Sequence, residues 1–411
     1  MKKILTNNKL LTIFLMFLFG NLSSATLTFM ISWTVLKQTH QASQFALIST
    51  ISSVVMLVTM PLVGIIVDKY NHKKLLLVAQ CFSIFVLLIF IIQPFQNLLA
   101  YILFSVGLDL GDLLFSITMY ASVKSLSEEK QEMSQINGIE QGVGALFAII
   151  SPGLAGVFLT FITVKSFSWL EIFCEAVVIL MVLRLNFKEK KTVRKKTDKE
   201  DEKSSYKTVF KLLKKKSALL IIVGILIALN FLLGSINVGI PFMLNHRFHG
   251  NTIILGIVQL TFPAGIIVGS FLTQKLQKYF IFKVLKISYF SCAFVILGFG
   301  IVLALMLKNM IVIVACLALL MLLIGLSLGI SRVPMMTFAQ NNIPEEIQGR
   351  AFTIIDTSAQ ILAPVGLMFY GLLFDHFQGQ WIYLISGVLM ILAITIGFRF
   401  VDKVDKEDYV F

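Results

Sequence analysis

Charged side chains are scarce in this chain, and their scarcity excludes an ordinary water-soluble protein. Charged residues make up 14% of the 411 positions, and hydrophobic residues make up 57%. A soluble globular domain carries about 25% charged residues. The chain therefore has too few polar side chains to cover a water-facing surface, and we expect most of that surface to face lipid.

Cysteine and histidine are also rare, and neither is arranged for metal binding or catalysis. His246 and His249 lie close together, but no acidic or cysteine partner accompanies them. The sequence contains no glycine-rich nucleotide loop and no Ser/His/acid set. We therefore expect no enzyme, no cofactor and no bound metal, and a primary pump would need a partner to supply its ATPase. The four cysteines lie inside apolar runs and are expected to be small hydrophobes: Cys81, Cys174, Cys292 and Cys316.

Basic residues, in contrast, are concentrated in one stretch near the middle of the chain. Residues 184–216 hold 14 Lys/Arg and 5 Asp/Glu, and long apolar runs lie on both sides. A nucleic-acid-binding arm would have the same charge, but its flanks would be soluble domains. We therefore interpret the stretch as a cytoplasmic loop and expect no nucleic acid partner.

The apolar runs predict an all-α membrane protein with twelve spans. Each run is close to the ~20 residues that cross a bilayer, and a lipid-embedded backbone must satisfy its own hydrogen bonds as a helix. The spans are expected at 11–36, 45–67, 75–93, 98–122, 136–163, 166–186, 218–243, 252–273, 284–307, 310–332, 351–374 and 380–400.

The distribution of basic residues orients these spans. With both termini in the cytoplasm, only Lys37, Lys165, Arg247 and Lys308 of the 35 Lys/Arg fall outside. Such a bias is what the positive-inside rule requires. Trp33, Trp169 and Trp381 are expected at the outer ends of their spans, where an amphipathic ring prefers to sit.

The two halves of the chain also repeat. The segment SEEKQEMSQINGIEQ begins at Ser127, and PEEIQGRAFTIIDTS begins at Pro344, about 217 residues later. Each leads into a span interrupted by Gly and Pro. Two six-helix bundles facing each other are typical of secondary transporters. We expect bundles at 1–187 and 217–411, joined by the basic loop 188–216.

The turn after the second span, GIIVDKYNHKK from Gly64, resembles the signature of the major facilitator superfamily. Gly64, Asp68, Lys69 and Lys73 match it. Asn71 stands where Gly is usual, and Asn tolerates the left-handed backbone expected there. An ordinary positive-inside turn is the alternative, since basic residues are expected there in any case. The resemblance implies two pseudo-symmetric six-helix bundles and a conformational switch, in which Asp68 sits near Arg350 at the start of span eleven.

A second motif, SPGLAG in span five, resembles the Gly/Pro-rich antiporter motif of drug exporters in that superfamily. Small residues let helices approach closely and pivot. A packing kink without any bearing on transport is the alternative. The hinge and packing residues are Gly142, Gly144, Pro152 and Gly156.

The longest resemblance is to the macrolide-efflux, drug:proton antiporter branch. It rests on INVGIPFMLNHRFHG from Ile236 and PEEIQGRAF from Pro344. One departure is that span four, LFSVGLDLGDLLFS from Leu103, lacks the Arg that these exporters carry there. Two acids, Asp109 and Asp112, lie on one helical face instead.

Carboxylates inside the membrane are the strongest candidates for chemistry. A charge at that depth costs a few kcal/mol, and a buried carboxyl can take up and release a proton. Asp109, Asp112, Glu140 and Asp356 are therefore the candidate coupling and substrate residues, with a purely structural role as the alternative. Glu171 and Glu175 are expected near the outer face, in a solvated or snorkelling role.

These features together predict a multi-pass transporter of the bacterial plasma membrane. We expect proton-coupled efflux of a lipophilic, cationic, macrolide-like compound. The proton gradient would be the only energy source, and membrane lipids the only other partner of a monomer. The alternatives are an importer or uncoupled facilitator of a small amphiphile or lysolipid, and a membrane enzyme or lipid-handling protein.

Overall fold

The chain folds into α-helices connected by short segments. The computed structural model describes residues 7–93, 97–127, 130–185, 187, 217–276, 281–305, 309–343, 354–355 and 357–401, and these residues contain no strand. Numbered in chain order, the main helices are α1 Asn8–Thr39, α2 Ala42–Lys69, α3 His72–Ile92, α4 Leu98–Leu126, α5 Lys130–Phe161, α6 Val164–Arg184, α7 Ser217–Arg247, α8 Thr252–Leu276, α9 Ile281–Ala304, α10 Met310–Asn342, α11 Ala363–His376 and α12 Gly379–Val401.

These helices confirm the predicted membrane fold. Within the described residues, 11 helices are long and apolar enough to cross a bilayer. A further pair, Gln135–Gly144 and Ile149–Phe161 within α5, is bent by 47° and makes 12 if counted as one span. Pro152 lies three residues after Ile149, where the second segment begins, and a proline removes a backbone hydrogen bond that would hold the helix straight there.

Two helices differ from the sequence-based spans. Span ten was expected to end at 332, but α10 continues to Asn342 with Pro334 inside it. Helical hydrogen bonds do not stop where the apolar run stops, so hydropathy underestimates such a helix. Within span eleven, expected at 351–374, residues 357–360 are helical and a turn at 361–362 precedes α11, which begins at Ala363 with a proline in its first turn.

The chain divides into two compact units. Unit 1 comprises Met1–Lys191 and Asn245–Gly256, and unit 2 comprises Thr192–Leu244 and Ile257–Phe411. In unit 1, α1 packs on α5 and α6, while α4 packs on α2 and α3. In unit 2, α9 packs on α10 and α12. The predicted bundle boundaries at 187 and 217 remain a prediction.

The interior of unit 1 contains three apolar clusters, and two of them lie along α1 and α6. The first lies around Leu10–Phe17 of α1 and Val178 and Val182 of α6. The second lies around Leu27–Val35 of α1 and Phe167 of α6. The parts of α1 and α6 between these clusters are therefore free to carry polar side chains.

Large apolar side chains also cover the exterior. Val58 is 67% exposed and Ile92 is 80% exposed, which suits a surface in contact with lipid rather than water. Trp169 and Trp381 are exposed, whereas Trp33 is only 1% exposed. Trp33 lies six residues before α1 ends at Thr39, and the place of the three tryptophans at the outer ends of their spans stays a prediction.

Glycines set the closest helix contact in unit 2. The backbone of α8 at Gly265 and Gly269 lies against the backbone of α10 near Leu322 and Leu326. Gly325 of α10 faces α8 in return, at Phe262. Small residues at such a crossing permit the backbone approach that holds membrane helices together.

Candidate functional site

The acidic pair of α4 points into unit 1 rather than toward lipid. Asp112 accepts a hydrogen bond from the Ser24 hydroxyl of α1. Asp109 lies beside Ser52 of α2, whose buried hydroxyl oxygen has no hydrogen-bond partner. Both carboxyl groups are half-buried. The spacing that puts them on one helical face therefore directs them against α1 and α2.

Two glutamates of α6 join this pair. Glu171 is 1% exposed and Glu175 is 2% exposed, and one carboxylate oxygen of each, Oε2, is buried without a hydrogen-bond partner. Asp112 is close enough to interact electrostatically with both. The expectation of a solvated or snorkelling role was therefore wrong.

The helical period of α6 explains this correction. Glu171 and Glu175 share a face with Phe167, Val178 and Val182, all of which are buried. Residues spaced by three and four along a helix lie on one stripe. That spacing could be read from the sequence, but Glu171 lies close to the start of its span, which suggested that its side chain contacts water.

Helix α3 adds uncharged polar groups at the same level. Gln80 and Ser83 are buried, and Gln80 Oε1 has no hydrogen-bond partner. The Ser83 hydroxyl occupies the space that a side chain at Gly111, next to Asp112, would need. We call the following set the polar layer of unit 1: Ser23, Ser24, Gln80, Ser83, Asp109, Asp112, Glu171, Cys174 and Glu175.

The polar layer is acidic throughout. None of its four carboxyl groups forms an ion pair with a basic side chain of the described residues, whereas Glu132 pairs with Lys9 at 2.9 Å. The two apolar clusters enclose it along α1 and α6. Buried carboxylates without a cation are costly, so the layer favours binding of a proton or of a cationic ligand.

The other two predicted acids are not part of this layer. Glu140 is half-buried on α5, and no carboxylate partner accompanies it there. Asp356 lies outside the described residues. Phe104, which precedes the acidic pair in sequence, stacks on Phe90 with ring centroids 4.0 Å apart and belongs to the second apolar cluster.

The predicted switch residues surround the turn between α2 and α3. Asp68 and Lys69 are exposed in the last turn of α2, and Gly64 has open space beside it. Asn71 has an extended backbone, with φ −61°, and its side chain accepts the Lys74 amide hydrogen as the N-cap of α3. The left-handed conformation expected for Asn71 was wrong, and Arg350 lies outside the described residues.

Lys73 links α3 to the end of α6 within unit 1. Its ammonium group donates hydrogen bonds to the carbonyl oxygens of Leu183 at 2.8 Å and Leu185 at 2.9 Å. These carbonyls belong to the end of α6, where the helix dipole favours a cation. The contact therefore stabilises the packing of α3 on α6 within one unit.

Substituting Lys73 tests this structural role. Lys73→Met should lower the free energy of unfolding by ~1–2 kcal/mol, because two carbonyls lose a charged donor. Lys74→Met removes the same charge from an exposed neighbour and should have little effect. Thermal unfolding of the purified variants in detergent measures both, and equal midpoints would contradict the assignment.

The predicted hinge residues have different surroundings. A side chain at Gly142 would meet nothing within 4 Å. A Cβ at Gly144 would lie 3.7 Å from Asn21 Oδ1, and one at Gly156 only 2.5 Å from the Gly256 amide nitrogen. Together with Pro152, they lie on the bent helix α5. Gly156 therefore marks a backbone contact, while Gly142 does not.

Known proteins resemble the chain over most of its length. Macrolide efflux protein A of Streptococcus pyogenes is 20% identical over 395 residues, 94% of each chain. The structure of a D-xylose–proton symporter has a TM-score of 0.69 at 14% identity and covers 96% of this chain and 98% of its own. A nucleoside transporter has a TM-score of 0.65 at 15% identity and covers 97% of this chain and 100% of its own.

The family model supports the same relationship. The model described as Major Facilitator Superfamily matches residues 13–367, which include the turn at Gly64, the polar layer and the bent helix α5. Membrane transport, rather than an enzymatic reaction, is the activity of such proteins. This chain belongs to the Major Facilitator Superfamily.

Proposed function

We propose that this protein exports a lipophilic cation, such as a macrolide, from the bacterial cytoplasm or inner leaflet in exchange for protons. The observation that carries the proposal is the acidic pair of the polar layer, Asp109 and Asp112, whose carboxyl groups form no ion pair with a basic side chain among the described residues. An acidic site attracts cations and disfavours anions. The similarity to a macrolide efflux protein supports the choice of cargo.

The exchange follows from competition for the same carboxylates. Protons from outside neutralise Asp109 or Asp112 and weaken the attraction for the cationic cargo, which leaves outward. When these groups lose their protons to the cytoplasm, the site becomes anionic and binds the next cation. Glu140 and Asp356 are proposed as secondary acids on this route, and a proton gradient is the only energy source needed.

The conformational cycle is proposed to involve the two bundles and the turn after α2. Gly64, Asp68 and Lys69, with Arg350, form the switch in this proposal, and both chain termini lie in the cytoplasm. Lys73 of α3 contacts the end of α6 in the same unit. Its proposed contribution is therefore to keep the turn after α2 in position. Gly142, Gly144, Pro152 and Gly156 provide the flexible or closely packed part of α5.

Everted vesicles test the direction and the coupling. The lumen of such vesicles corresponds to the cell exterior, so acidifying it should drive accumulation of erythromycin and of the permanent cation tetraphenylphosphonium. A protonophore should abolish the accumulation, and vesicles without the protein provide the background.

Two other results would replace the proposal. Accumulation only in right-side-out vesicles with an acidic exterior would indicate an importer, which the absence of a base from the middle of α4 makes a specific alternative. Equilibration of the probes without accumulation in either orientation would indicate a facilitator. A wider panel that includes lysolipids would then identify the cargo.

A further inference from the structure

Glu171 and Glu175 are the most deeply buried acids described in the chain, and the exchange mechanism above does not use them. They lie one helical turn apart on α6 and face the helices that carry Ser23 and Asp112. Glutamates in this setting, with an unpartnered oxygen each, need either a bound ligand or a proton.

We propose that Glu171 and Glu175 bind protons and relay them to Asp112, so that α6 provides the proton route of unit 1 while α4 faces the cargo. This inference rests on the proposed proton-coupled function. It assigns to Glu171 and Glu175 a role that the fold family alone does not specify.

The depths of the acids fit a stepwise route. Glu171 and Glu175 lie 7 and 11 residues after the start of α6 at Val164, or about 10 and 16 Å along the helix. Asp109 and Asp112 lie 11 and 14 residues after the start of α4 at Leu98, or about 16 and 21 Å. Both helices begin at the same membrane face because one span separates them. The carboxyl groups therefore form a descending series from that face.

The surroundings favour a proton over a larger ligand. Glu171 and Glu175 are 1% and 2% exposed, so no space for a drug-sized molecule adjoins them. Where the structure describes the chain, no group of three His, Cys, Asp or Glu has the geometry of a metal site. Two other buried polar atoms also lack a hydrogen-bond partner, Gln80 Oε1 on α3, which packs on α6, and Ser52 Oγ beside Asp109. These can share a hydrogen bond with a protonated acid or a bridging water.

The neighbouring titratable groups contain no competing base. Asp112 of α4 interacts electrostatically with both glutamates, Asp109 lies beside Asp112, and Cys174 of α6 lies between the two glutamates in sequence. Helix α1 presents Ser23 and Ser24, and its lysines, Lys9 and Lys37, lie near its two ends. Helix α3 presents Gln80 and Ser83. Occupancy by protons is therefore set by the acids themselves, and not by an ion pair.

Transport assays separate this role from a structural one. Glu171→Gln and Glu175→Gln keep the shape of the side chain but cannot carry the proton. Each variant should retain tetraphenylphosphonium exchange without a gradient, and should lose gradient-driven accumulation by about 5- to 150-fold, the range of typical coupling free energies. Glu132→Gln, which removes an acid paired with Lys9, is the matched control and should behave as the wild type.

Two outcomes of these assays would overturn the proposal. Wild-type gradient-driven accumulation in both glutamate variants would show that no proton passes through them. Loss of exchange together with accumulation would assign the glutamates to packing instead.

Carbodiimide labelling gives a readout that does not need transport. Dicyclohexylcarbodiimide modifies protonated carboxyl groups in apolar surroundings, so Glu171 and Glu175 of the wild type should be labelled, less so as the pH rises, and Glu132 should not. Mass spectrometry of the peptides measures this. If neither glutamate is labelled while the wild type shows gradient-driven transport, only the proton relay through Glu171 and Glu175 is contradicted. If the wild type shows no gradient-driven transport, both the proposed function and the proton relay are contradicted.

Discussion

Asp112→Asn is expected to remove most of the pH dependence of cation binding. In the wild type, affinity for tetraphenylphosphonium should rise with pH, because deprotonation makes the site anionic. Asparagine is neutral at every pH, so the variant should bind weakly throughout and lose about 5- to 150-fold in gradient-driven transport, a coupling free energy of about 1–3 kcal/mol. The charge of the probe does not change with pH, so any pH dependence belongs to the protein.

The local contacts make this variant a test of charge rather than of folding. An asparagine side-chain oxygen can still accept the Ser24 hydroxyl hydrogen that Asp112 accepts now. Asp109→Asn should show the same effect in a weaker form, since the neighbouring Ser52 oxygen has no hydrogen-bond partner. Asp405→Asn, beyond the end of α12, is the matched control. Binding to Asp112→Asn that strengthens with pH as much as binding to the wild type would remove this residue from the mechanism.

Gly156→Val is expected to have the second large effect, through the backbone. A Cβ at this position would lie 2.5 Å from the amide nitrogen and 2.7 Å from the Cα of Gly256 in the same unit. Backbone atoms cannot rotate away as a side chain can, so α5 and the start of α8 must separate. Overpacking of this kind costs about 1–3 kcal/mol, which would reduce the population of the contact by about 5- to 150-fold.

Cross-linking measures this contact directly. The hydroxyl oxygens of Thr160 and Thr252 lie 3.1 Å apart, one turn beyond the glycines. In a background without the native cysteines, Thr160→Cys and Thr252→Cys should form a disulfide on mild oxidation, and adding Gly156→Val should suppress it. Gly142→Ala enters open space and should leave the yield unchanged. An equal disulfide yield in the valine variant would disprove the close approach.

The amino-acid sequence was sufficient to predict the class of fold. Span length and the scarcity of charge require helices in lipid, since an unpaired backbone there costs several kcal/mol per group. The turn from Gly64 to Lys73 and the Gly/Pro-rich motif of α5 pointed to the family that the matched model shows. Helix ends were predicted less well, as at α10 and α11, because apolarity and hydrogen bonding end at different residues.

Only two of the four acids in the polar layer were predicted as site residues from the sequence. Asp109 and Asp112 stood out because their depth along one span makes them costly, whatever surrounds them. Glu171 and Glu175 did not, because their depth in α6 fitted either water or the interior. The backbone of Asn71 was predicted wrongly for a similar reason, as its φ angle is left open by the local sequence.

The sequence by itself determined which segments are helical in the membrane and that acids, rather than bases, occupy the middle of α4. Only the tertiary structure decided that α6 turns its glutamates toward those acids and that Gly156 meets Gly256. The physical reason is that span length and charge are properties of one segment. The direction of a helix face is set by the neighbours against which it packs, and these neighbours are distant in sequence.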